Sequence, residues 1–176
     1  MNLDKWEQEQ LKKMTNCKFE TVLFDTDKDS WNKFHMSVIQ HFQMNCRTLM
    51  VIEDTENNKF GYFYDENLNF MHINSKLFTL KRNGERKFGF YNDEDFFYRE
   101  CTQKSHNPEI NCLICLGAGN QIMIGDENNL DKSYCQQNDY FVKYKGEKDV
   151  FTGKSGKENP FTPKRITVIS LCLSFN

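Results

Sequence analysis

The chain has 176 residues, 38% of them hydrophobic and 16 of them phenylalanine, with a formal net charge of −2. That length and apolar content suit one domain with a real core and exclude wholesale disorder. A pI of about 6.1 argues against a binder that is basic throughout, while leaving room for one local basic face.

Residues Asp4 to Met14 are charged helix formers, with Trp6, Leu11 and Met14 placed to share one face. They predict an N-terminal helical extension over residues 1–18, ahead of a domain spanning 19–176. Lys18 to Phe24 alternates loosely and reads as a strand or an extended lead-in. After the polar break at 25–29, Trp31, Phe34, Val38 and Phe42 recur at helical spacing, so a helix is expected from about Trp31 to Met44. Asp29 or Ser30 is placed to cap it, because a short side-chain oxygen accepts from the free amides of a first turn.

The period then changes to two. Thr48 to Ile52 and Lys59 to Tyr64 read as paired strands joined by a polar turn. Leu77 to Leu80 and Lys87 to Tyr91 form a second pair, and Asn83-Gly84 between them is a strong hairpin signal, since both residues tolerate positive φ. Asn92 to Pro108 is polar, with an acidic-aromatic piece at 93–98. Ile110 to Leu116 and Gln121 to Ile124 are short apolar runs around Gly117-Ala118-Gly119-Asn120. They predict a hairpin central in its sheet, with Cys112 or Ile114 and Ile122 or Ile124 facing the core. Asp126 to Asn138 reads as a long loop, Tyr140 to Tyr144 as a strand, Lys145 to Lys164 as a Gly- and Lys-rich loop, and Ile166 to Leu173 as the terminal strand. Many short strands without βαβ alternation imply an α+β, mainly β fold: two antiparallel sheets packed as a β-sandwich with flanking helices.

Motifs for chemistry are sparse. Gly117-Ala118-Gly119 lacks the third glycine of a dinucleotide fingerprint and leads into a strand rather than a helix. Gly153-Lys154-Ser155 lacks the earlier glycine of a phosphate loop, and Pro160 and Pro163 interrupt any following helix. Cys112 and Cys115 form a lone C-x-x-C with no second pair to complete a tetrahedral zinc set. His35 and His41 fall on the expected helix, and His72 and His106 in loops. No nucleophile elbow surrounds a serine or cysteine. No catalytic residue, cofactor or metal ligand is assigned.

Seven cysteines, an odd number, lie behind an N-terminus that is charged where a secretory signal would be apolar. Reduced thiols in a cytoplasmic or nuclear protein are expected. No run approaches the length of a membrane span. One segment stands out: Lys143, Lys145, Lys148, Lys154, Lys157, Lys164 and Arg165 outnumber the acids around them, with Phe151 and Phe161 interleaved. Basic loops with aromatics hold phosphate backbones and stack bases. The plainer interpretation is a solvated loop whose phenylalanines dock on the core. Lys145, Lys148, Lys154, Lys157, Lys164 and Arg165 are the candidate partner-binding residues.

Together these pieces resemble the TLDc domain family, in order from about Phe19 to Leu173. Residues 23–35 (LFDTDKDSWNKFH) are similar to its lead-in and helix. Residues 48–64 (TLMVIEDTENNKFGYFY) resemble its paired strands, with the T-L-x-x-I pattern at Thr48, Leu49 and Ile52 and the F-G-x-Y pattern at Phe60, Gly61 and Phe63, where Phe replaces Tyr. Residues 75–88 (SKLFTLKRNGERKF) are similar to the family's F-L-F-S-L strand, 116–125 (LGAGNQIMIG) to the glycine-flanked hairpin of protist-type members, Ser133-Tyr134 to the serine that follows, and 151–171 to the closing segment. The chain departs from animal members at Gln136 to Asp139 and at Thr167-Val168-Ile169. The resemblance implies a two-sheet sandwich, a role in oxidative-stress resistance and, in some members, binding to a subunit of the vacuolar proton ATPase. It favours a non-enzymatic module with a protein partner. Two alternatives stand beside it: a nucleic-acid-binding (DNA) stress regulator using Lys145 to Arg165, and a thiol-dependent antioxidant.

Overall fold

The computed structural model describes residues 2–43, 47–65, 75–92, 112–116, 122–136 and 150–173. It is mainly β, with two antiparallel sheets and short helices. In chain order the elements are α1 (Lys5–Thr15), β1 (Cys17–Asp25), α2 (Trp31–Lys33) running on through a π-helical stretch (Phe34–Ile39) into α3 (Gln40–Gln43), β2 (Thr48–Asp54), β3 (Lys59–Tyr64), β4 (Lys76–Arg82), β5 (Glu85–Asn92), β6 (Cys112–Leu116), β7 (Ile122–Gly125), a 3-10 turn (Leu130–Lys132), β8 (Tyr134–Cys135) and β9 (Pro163–Leu173). The larger sheet has the order β1-β9-β2-β3-β4-β5 and the smaller β6-β7-β8.

The last strand is not at an edge. β9 inserts between β1 and β2, with Val168 opposite both Phe24 and Met50. The last strand of the chain therefore joins the first strand to the rest of the larger sheet. Alternation along the strands then serves two cores. Met50, Ile52, Phe60, Tyr62, Ile166 and Val168 face the smaller sheet, where Ile114, Ile122 and Ile124 meet them. Leu49, Val51, Phe63, Phe78, Leu80 and Ile169 face the other way and are covered by Leu3, Leu11 and Met14 from the α1 end of the chain. Period-two strands in which both sets of side chains are buried need a layer on each side, and α1 supplies the second layer. Each fully buried Leu or Met contributes about 1.5–3 kcal/mol, enough for α1 to be held on the sheet.

Local signals explain the turns. Asp4 caps α1 reciprocally: its carboxylate accepts from the Glu7 amide at 2.9 Å, and Glu7 Oε2 accepts from the Asp4 amide at 2.9 Å. Asn83 and Gly84 sit at φ of 51° and 81°, both positive as a type I′ hairpin requires. Gly61 is demanded by space: a Cβ there would lie 1.9 Å from the Met50 carbonyl oxygen.

Several expectations are corrected. Neither Asp29 nor Ser30 caps the second helix. Ser30 occupies the cap position without a side-chain bond, and Asp29 turns back to accept from the Asp25 amide at 3.0 Å and from Lys33 Nζ. The expected long loop from Asp126 contains the 3-10 turn and β8, a strand too short to show a period. In the glycine-flanked hairpin only β7 is central, and β6 lies at the edge. Ile114, Ile122 and Ile124 do face the core. The hairpin turn at 117–120, the expected strand at 140–144 and the acidic-aromatic piece at 93–98 lie outside the described residues.

Candidate functional site

Lys154, Lys157, Lys164 and Arg165 are among the described residues; Lys143, Lys145 and Lys148 lie outside them. The segment that carries them is anchored from within. Phe151 is fully buried and Phe161 nearly so, with their rings 5.7 and 5.3 Å from that of Phe60. The Phe161 amide donates to the Ser133 carbonyl at 2.7 Å, and the Gly156 amide to that of Cys135 at 2.8 Å. The aromatic half of the sequence pattern therefore belongs to the core.

The cations are largely matched to carboxylates. Lys154 pairs with Glu56, both at the surface. Lys164 Nζ lies 3.8 Å from Glu53 Oε1. Arg165 is held most firmly: Nε donates to Asp25 Oδ1 at 2.9 Å, Nη2 to Asp25 Oδ2 at 2.6 Å, and Nη1 reaches Asp27 Oδ2 at 2.8 Å. Burial would raise the Asp25 carboxyl, but the Arg165 hydrogen bonds, with help from the Asp27 amide, outweigh it and hold the group below the ordinary aspartate range. Those same hydrogen bonds raise Arg165 further. Lys157 is exposed.

A second charged constellation was not foreseen. On the α1 side of the sheet, Lys81 Nζ lies 3.0 Å from Glu7 Oε1, which lies 3.1 Å from Lys59 Nζ, which in turn lies 3.3 Å from Glu53 Oε2. With Lys164 beyond Glu53, five side chains alternate in sign. The Glu7 side chain is 0% and that of Lys59 6% exposed, so the middle of the row is buried while its ends reach solvent. Lys59 Nζ also donates to the Asn2 carbonyl at 3.1 Å, and Asn2 Nδ2 to Glu53 Oε2 at 3.1 Å. The sequence held one trace of this row. A lysine opens an otherwise apolar strand, KFGYFY, and Lys81 lies opposite it in register. At the mouth, Glu53, Asn57, Lys59, Lys81 and Gly84 line a cavity of about 190 Å³ between the β2–β3 and β4–β5 turns.

The described thiols are dispersed. Burial pushes the Cys17 thiol up, against the opposing effect of Arg47. Cys115 Sγ contacts Met123 Sδ at 3.8 Å, and Tyr134 Oη donates to the same sulfur at 3.1 Å. Cys135 packs in the main core, and Cys172 is partly exposed. Cys17 and Cys172 lie on paired strands, but Cys17 is opposite Leu173 and Cys172 opposite Lys18, so the two point to opposite faces. His41 on α3 is lowered by burial, with Glu20 opposing. Among the described residues, no three His, Cys, Asp or Glu side chains are grouped to hold a metal, and no helix is long and apolar enough to cross a membrane.

A comparison of the sequence with protein-family models finds no match, and no curated protein matches it significantly.

Proposed function

We propose that the chain is a non-enzymatic interaction module of the TLDc kind, acting in oxidative-stress resistance through a protein partner. The observation that carries this reading is the use to which the motif residues are put. Thr48, Leu49 and Ile52 on β2 are directly opposite Tyr64, Phe63 and Phe60 on β3, and all of them are buried. Gly61 is required by the approach of the Met50 carbonyl. The resemblance thus rests on residues that build a sandwich, and nothing in it calls for a reacting group. The charge pairing of Lys154, Lys164 and Arg165 and the burial of Phe151 and Phe161 weigh toward a protein partner over a phosphate backbone.

The test is an affinity capture of the full chain before and after peroxide treatment, followed by binding of the captured protein in purified form. A direct complex that survives nuclease treatment is the expected result. Capture of nucleic acid alone, with affinity falling steeply as salt rises, would overturn the proposal in favour of the DNA-binding alternative.

A further inference from the structure

We propose that the cleft between the β2–β3 and β4–β5 turns binds a small carboxylate-bearing molecule, with Lys81 as the group that grips the carboxylate. The cleft is a built feature. Its two walls are tied together, because the Gly84 amide donates to the Asn57 carbonyl at 3.0 Å and the Asn83 amide to Asn58 Oδ1 at 2.8 Å. Asn57 and Gly84 both sit at positive φ, which sets the shape of each lip.

Glu7, fully buried behind the two lysines, balances them together with Glu53, so the attraction for an anion rests on Lys81, the most exposed of these four charges. The two lysines differ in what they can still do. Lys59 Nζ already contacts Glu7, Glu53 and the Asn2 carbonyl, so its three protons are committed and it contributes charge alone. Lys81 Nζ has Glu7 Oε1 at 3.0 Å, its side chain is 27% exposed, and an ammonium has three protons to donate. Across the cleft, Glu53 Oε2 is shared by Lys59 and Asn2, while among the described residues Oε1 has only the distant Lys164 at 3.8 Å. Lys81 can donate while Glu53 accepts. A carboxylate with a hydroxyl or ammonium on the next carbon satisfies both. A volume of about 190 Å³ has room for about six water-sized groups, which suits a small hydroxy or amino acid and is below the range of drug-sized ligand sites. The site is separate from the residues that carry the proposed function, so either can fail alone.

The test is an amide-resolved NMR titration of the isotopically labelled full chain with glycolate, with acetate, and with chloride at matched ionic strength. Saturable shifts centred on Asn57, Lys81 and Gly84 are expected, with glycolate binding more tightly than acetate. Lys81→Gln should weaken glycolate at least about tenfold, the size of a lost charge-assisted hydrogen bond. Glu53→Ala, which removes the acceptor altogether, should abolish the advantage of glycolate over acetate without abolishing binding, which keeps the test decisive if the Lys81 variant folds poorly. Equal shifts with chloride, meaning an adventitious ion only, or unchanged affinity in the Lys81 variant would overturn the proposal.

Discussion

Replacing Glu7 with Gln removes one charge from the buried row while keeping its shape. The glutamine oxygen can still accept from the Asp4 amide, so the capping box survives in part. What is lost is the carboxylate between Lys59 and Lys81, at 3.1 and 3.0 Å. Removing one partner from a buried ion pair costs about 3–5 kcal/mol, because the other charge stays desolvated. Lys59 retains Glu53 and the Asn2 carbonyl, so the low end applies, about 3 kcal/mol. In a domain of this size each kcal/mol shifts Tm by about 2–4 °C, giving a fall of about 6–12 °C. Thermal and urea unfolding followed by circular dichroism measures it. Lys154→Gln, which breaks the surface pair with Glu56, is the control and should cost at most about 1 kcal/mol. Equal, small losses in the two variants would refute a stabilising role for the buried charge row.

Three further outcomes follow from other parts of the molecule. Gly61→Ala should destabilise by about 3 kcal/mol or more, since its methyl group meets a backbone oxygen and the Phe78 ring rather than a side chain that can move aside; a chevron or melting curve close to that of the parent would contradict this. Asp25→Asn should cost about 2 kcal/mol at neutral pH by weakening a doubly hydrogen-bonded Arg165 pair. The folded Asp25 titrates below its unfolded value, so its stabilisation is complete above about pH 4 and is lost as pH falls through the depressed value. The gap between parent and variant should therefore close in acid, and a gap that widens there would exclude the pairing. Among the described thiols, Cys172 should alkylate first and Cys17 only on unfolding, read by mass spectrometry after a short iodoacetamide pulse.

Local and periodic features could be read from the chain. The β2–β3 pair, the Asn83-Gly84 turn and the two core-facing isoleucines of β7 follow from alternation and turn chemistry. Pairings between distant segments could not. The place of β9 between β1 and β2 depends on contacts that no window of sequence contains. Arg165 counts as a free cation in a composition, yet its partner Asp25 is 140 positions away. Glu7 looks like one more solvated charge on a polar helix until Lys59 and Lys81 are placed beneath it. β8, two residues long, has no period to detect. Phe151 and Phe161 posed a real choice between base stacking and core packing. It is decided by Phe60, which lies on β3 and receives both rings.

The central proposal is a role in oxidative-stress resistance that does not depend on the partly exposed thiol of Cys172. Its most direct measurement is peroxide survival after deletion of the gene, with rescue by the parent chain and by a chain in which Cys172 is replaced by serine. Lower survival on deletion, restored equally by both chains, is the predicted result. Survival unchanged by the deletion, or rescue that requires the Cys172 thiol, would contradict it.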